Sequence, residues 1–159
     1  MGYATLTAVL VALDQLVKHL VRANVPEFGS APLLPGVMDL TFFKNTGAGF
    51  SILTGHTWLL TLVSAVLSVL IALALWRGTF RRAPGRLALT LLLAGAVGNL
   101  IDRAAFGYVT DMFRTLFIEF PVLNVADVCV VIGGIGAAVY YLFFYDKMEK
   151  NDGTPDTDG

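Results

Sequence analysis

Residues 57–76 contain no charged side chain, and neither do residues 128–145. Each stretch approaches the ~20 residues with which a helix crosses about 30 Å of hydrocarbon. Water cannot satisfy backbone N–H and C=O groups in that layer, whereas a helix satisfies them within one segment. The rest of the chain agrees. It is 56% hydrophobic and 14% charged over 159 residues, against about 25% charged in a soluble domain. These features specify an integral, all-α membrane protein.

Four spans are expected, over residues 3–21, 57–76, 86–103 and 122–145. They make one four-helix bundle within a single domain at 1–150, followed by a disordered, Asp- and Gly-rich cytoplasmic tail at 151–159. The first span reads as a retained helix. Residues 1–13 lack a basic leader, and Asp14, Gln15 and Lys18 stand where a signal peptide would need small cleavage-site residues. Arg77, Arg81, Arg82 and Arg86 cluster between spans two and three, which marks that connection as cytoplasmic. Both termini are then cytoplasmic, in keeping with Lys147 and Lys150, and connections 22–56 and 104–121 face outward.

The outer connection 22–56 is long, and such loops tend to carry function. Pro26, Pro32, Pro35, Gly29 and Gly36 predict an irregular first half, residues 37–43 are β-prone, and Asn45-Thr46-Gly47 reads as a turn. A small extracytoplasmic sheet over the bundle and an amphipathic interfacial helix over 109–117 complete the expected architecture. Ala94 with Gly98, and Gly133 with Ala137, allow helices to approach closely. No internal repeat supports an inverted-repeat transporter.

Several function classes are disfavoured. The net charge is −1 and no basic stripe is interleaved with aromatics, so nucleic acid is not an expected partner. The single cysteine, Cys129, lies between valines and reads as a small buried hydrophobe. With His19 and His56 the only histidines, no metal site is expected. Nothing requires more than a monomer.

The acids point elsewhere. An Asp at a membrane-helix centre costs about 2.5–3.5 kcal/mol on insertion scales, and such residues are functional by default. Asp102 ends span three, Asp127 lies in the first turns of span four, and Asp111 sits between them. The topology gathers all three on the outer side, with Asp14 and Lys18 in the outer half of span one. Asn124 and Asp127 share a helix face at i, i+3, so Asn124 either orients the carboxylate or caps the helix. Asn99 and Asp102 repeat the spacing. Arg103 follows directly, which makes Asp102 most simply a structural ion pair and leaves Asp111 freer to exchange a proton. Two carboxylates within about 3 Å cannot both ionise, so one serves as base while the other holds a proton. Acid/base chemistry, proton movement and ion binding all remain open on these residues alone.

Four boxes resemble those of the bacterial lipoprotein signal peptidases (signal peptidase II), in order and spacing. They are Asp14-Gln15-Leu16-Val17-Lys18; Asn45-Thr46-Gly47-Ala48-Gly49-Phe50-Ser51; residues 95–103 ending Asn99-Leu100-Ile101-Asp102-Arg103 and continuing to Val109-Thr110-Asp111; and residues 120–127 ending Asn124-Val125-Ala126-Asp127. The likeness covers all but the tail. Gly49 and Ala94 depart from the usual small residues without removing an ionisable group.

The resemblance implies an intramembrane aspartic endopeptidase that removes signal peptides from lipid-modified prolipoproteins, cutting before the diacylglyceryl-cysteine. It implies Asp111 and Asp127 as the catalytic pair, with Asn99, Asp102, Arg103 and Asn124 around them. Asp14, Lys18, Asn45 and Gly47 would help build the pocket. No metal or organic cofactor is implied, and the expected partners are the prolipoprotein and membrane lipid. The expected place is the bacterial cytoplasmic membrane, with the active site near the outer face. A small proton- or ion-coupled transporter is the rival reading, and a non-catalytic scaffold leaves the costly acids without a purpose.

Overall fold

A computed structural model describes residues 2–47 and 55–145. Helices α1 (Tyr3–Asn24), α2 (Thr57–Arg77), α3 (Ala83–Phe106) and α4 (Val125–Phe143) are each long and apolar enough to span a membrane. They match the four expected spans, and most of their apolar side chains face outward. The predicted tail at 151–159, Lys147, Lys150 and residues 48–51 of the second box fall outside the described residues.

Local chemistry sets the helix ends. Gly78 after α2 and Gly107 after α3 adopt left-handed backbone, with φ of 67° and 75°. Pro84 lies in the first turn of α3, where its missing N–H leaves no bond unmade. α3 is the hub, packing against each of the other three helices. A Cβ on Gly133 would lie 2.6 Å from the Leu92 backbone nitrogen, and one on Gly95 would collide with the Ala126 carbonyl. Small residues therefore let α3 and α4 touch along their backbones, as Gly133 suggested in the sequence, while Gly98 leaves room for the Asp14 carboxylate of α1.

Strands β1 (Ser30–Leu34), β2 (Met38–Asn45) and β3 (Val109–Thr115) form an antiparallel sheet in the order β1-β2-β3. Two expectations need correction. The segment thought irregular contains β1, and Pro32 is tolerated there because β1 is an edge strand. Residues 109–115, expected within an interfacial helix, are strand β3. Their apolar pattern reflects burial on both faces: Val109, Thr110, Asp111 and Met112 are all buried in succession. β2 pairs along one edge, and Leu123 bonds to the Met112 and Phe113 backbone along the other.

Met112 packs with Phe42 and Val21 and fastens the sheet to the end of α1. Pairing places Phe43 opposite Asp111 and Asn45 opposite Val109. The sheet thereby carries Asn45 and Asp111 to the ends of α3 and α4.

Candidate active site

Asp111 comes from β3, Asp127 from the first turn of α4, Asn99 and Arg103 from α3, and Asn45 from β2. All five line one cavity of about 290 Å³. Two asparagines tie the carboxylates together. Asn124 Nδ2 donates to Asp111 Oδ1 at 2.6 Å and to Asn99 Oδ1 at 3.1 Å. Asn99 Nδ2 donates to Asp127 Oδ1 at 2.8 Å, and Asn45 Nδ2 donates to Asp111 Oδ2 at 2.9 Å.

Asn124 also begins α4. Its side-chain oxygen accepts from the Asp127 N–H at 2.8 Å, while Asp127 Oδ2 accepts from the Asn124 N–H at 3.1 Å. This reciprocal pair is a capping box. The two readings of Asn124 were not alternatives: the cap is the device that orients the carboxylate.

Asp111 is buried, and burial is the main reason its carboxyl rises from the usual 3.8 to about 7. The facing Asp127 charge pushes the same way, while Asn45, Asn124 and Lys18 oppose. A carboxyl of this kind holds a proton near neutrality.

Beneath the cavity lies a second polar layer. Lys18 Nζ reaches Asp14 at 2.9 Å and Asp102 at 3.7 Å, and donates to Asn99 Oδ1 at 2.9 Å. That bond fixes which way the Asn99 amide points, leaving its NH₂ for Asp127. Asp14 Oδ1 accepts from the Ala126 N–H at 2.9 Å, so α1 satisfies an N-terminal donor of α4.

Asp102 forms ion pairs, as expected, but with other partners than its neighbour in sequence. It pairs with Lys18 and with Arg22 (3.6 Å), and accepts from Gln15 and the Thr110 N–H. Consecutive helical residues point about 100° apart, so Asp102 faces α1 while Arg103 turns to the cavity. There Arg103 donates to the Gly47 carbonyl at 3.3 Å and to Ser64 Oγ at 3.4 Å. The Gly47 N–H closes an Asx turn onto Asn45 Oδ1, which holds the Asn45 amide towards Asp111.

All ten residues singled out in the sequence thus meet in these two layers. Gln15, Arg22 and Thr110 were missed. Asp14, Lys18 and Arg22 follow at i, i+4, i+8 on one face of α1, a pattern that was available in the sequence.

Comparison with known proteins adds the family. The model of signal peptidase (SPase) II matches residues 6–144. The chain belongs to the signal peptidase II family. It is 37% identical to the lipoprotein signal peptidase of Enterococcus faecalis over 148 residues, 93% of this chain and 91% of that protein. The same enzyme of Brevibacillus brevis is 37% identical over 150 residues, covering 94% of this chain and all of the relative. A bacterial membrane enzyme solved in meso at 2.3 Å superposes with a TM-score of 0.84 at 24% identity, over 96% of this chain and 94% of that one, and shares the fold. A second, solved at 1.9 Å, has a TM-score of 0.81 at 26% identity, over 89% and 93%. Membership of the signal peptidase II family makes the chain a multi-pass membrane peptidase.

Proposed function

We propose that this chain removes signal peptides from lipid-modified prolipoproteins with Asp111 and Asp127 as an aspartic catalytic pair. The observation that carries the reading is their convergence: two carboxylates from different elements line one cavity, and Asn99 and Asn124 hold both. Asp111 is the partner that holds the proton. Asp127 is the base, at N3 of α4, where the helix dipole favours negative charge.

In the first step Asp127 takes a proton from water and the oxygen attacks the carbonyl carbon before the lipidated cysteine. The Asp111 proton supports the developing oxyanion. Asp127 then returns its proton to the departing amine as the C–N bond breaks, leaving a carboxyl on the signal peptide and a free amine on the cysteine. Arg103 Nε is buried without a hydrogen-bond partner among the described residues, which makes it a donor available to the substrate main chain. The arginine-rich α2–α3 connection supports placing both termini in the cytoplasm and the active site near the outer face of the cytoplasmic membrane. A lipid-anchored cysteine brings the scissile bond to that depth.

Purified Asp111→Asn and Asp127→Asn proteins, offered a lipidated signal-peptide substrate, should each cleave roughly 10³-fold more slowly or worse. Near-normal cleavage by either contradicts the pair. Asp102→Asn serves as the control, and a larger loss there than in Asp111→Asn would reassign the partner of Asp127. The transporter reading gains no support from the family match, which is to peptidases throughout.

A further inference from the structure

α1 and α2 both pack along α3. Towards the end that carries Arg86, a trough of about 830 Å³ opens between them, a size typical of small-molecule sites (about 300–1,000 Å³). Ala4, Ala8 and Ala12 line one wall, and Leu93 and Val97 of α3 contribute as well. Alanines one turn apart share a helix face and leave a straight channel along it. A flexible hydrocarbon chain fits such a channel.

The trough also has a charged end. Arg86 lines it beside Trp76 and Tyr3, with its guanidinium carbon 4.3 Å from the Tyr3 ring centroid. The Arg86 Nε is buried and has no hydrogen-bond partner among the described residues. A buried donor left unmet is costly, and a guanidinium forks readily onto phosphate oxygens. Trp76 is 82% exposed, as befits an indole that anchors a helix end at headgroup level. Residues 76–86 hold four arginines and no acid, a basic run of the kind that attracts anionic lipid. Arg86 and Asn99 are thirteen positions apart on α3, about 20 Å along a helix, so the charged end of the trough is remote from Asp111 and Asp127.

We propose that this trough binds one anionic phospholipid, with its phosphate on Arg86 and an acyl chain along the alanine wall. Trp76 is a built-in reporter. Trp58→Phe leaves it the only one of the chain's two tryptophans. The full-length protein would be placed in phosphatidylcholine bilayers holding a small fraction of brominated phosphatidylglycerol, or the same fraction of brominated phosphatidylcholine. The anionic quencher should reach half-effect at about fivefold lower mole fraction, the preference one arginine confers at a membrane surface.

In the same background, Ala8→Leu fills the channel and Arg86→Gln removes the phosphate partner. Each should abolish the preference while cleavage of a lipidated peptide, which certifies the fold, persists. If one variant loses cleavage, quenching in the other decides. Equal quenching by the two lipids, or a preference that survives substitution in a folded variant, overturns the proposal. So does displacement of the bromolipid by a lipidated signal-peptide substrate, because the trough would then belong to the substrate's membrane segment.

Discussion

Asp111 meets two conditions that keep a carboxyl protonated, burial and a second carboxylate facing it. Its value near 7, against 3.8 when unfolded, fixes the sign of a pH effect. Between those two values the native state keeps a proton that the unfolded chain releases. This residue's contribution to stability therefore falls as pH rises from about 4 to 7 and stays low above, by roughly 4 kcal/mol at 1.36 kcal/mol per unit. Asp111→Asn cannot titrate. Its melting temperature in detergent, relative to the parent, should shift upward between pH 4.5 and pH 8. A difference that stays constant across that range would mean Asp111 does not hold the proton. Part of this was legible beforehand: Asp111 lacks a basic neighbour until Arg114, and that alone set it apart from Asp102. The error over Arg103 has an equally simple cause. Adjacency in sequence is not adjacency on a helix, and the cations for Asp102 come from α1.

The start of α4 combines two jobs that substitutions can separate. Asn124 caps the helix through its side-chain oxygen and holds Asp111 through its side-chain nitrogen. Serine keeps a capping oxygen but offers no amide. Asn124→Ser should therefore melt close to the parent, whereas Asn124→Ala should lose about 1 kcal/mol for the missing cap. Both should lose cleavage about 3- to 10-fold, the worth of a hydrogen bond to a neutral group, since Asp111 holds the proton. If serine restored activity along with stability, the amide would have no part in the site. The i, i+3 spacing made this arrangement readable, since a helix face and a capping box both follow from local rules. β3 was not readable in that way. Seven residues are too few to tell a strand buried on both faces from one side of a helix, and the pairing with β2 and Leu123 depends on contacts distant in sequence. β1 was hidden behind its proline for a related reason, because edge position is a property of the assembled sheet.

The whole molecule is held together differently from a soluble bundle. Lipid is as apolar as leucine, so burying leucine between membrane helices brings no hydrophobic gain. The four spans could be found from hydropathy, but hydropathy says little about how they adhere. In α1 the buried residues are Asp14, Lys18 and Val21, so this helix is joined to the rest largely through charge. Lys18 is fully buried between Asp14 and Asp102 and reaches Asn99. Removing its charge alone strands the buried Asp14 carboxylate and leaves Asp102 to Arg22 alone, an effect worth about 3–5 kcal/mol when a buried pair is broken. Lys18→Met should accordingly lower the melting temperature sharply and weaken cleavage through Asn99. Combining it with Asp14→Asn and Asp102→Asn removes both carboxylate charges. The amide oxygens can still accept from the Ala126 and Thr110 N–H groups, and Arg22 keeps its hydrogen bond to Thr110 Oγ1 and its place over the Phe106 ring. The triple variant should therefore recover much of the stability lost by Lys18→Met, while cleavage stays low because nothing then fixes the Asn99 amide. Thermal unfolding of the two variants in the same detergent decides the matter. A triple variant that melts at or below Lys18→Met would show that the three charges act separately and that α1 is held by its apolar contacts after all.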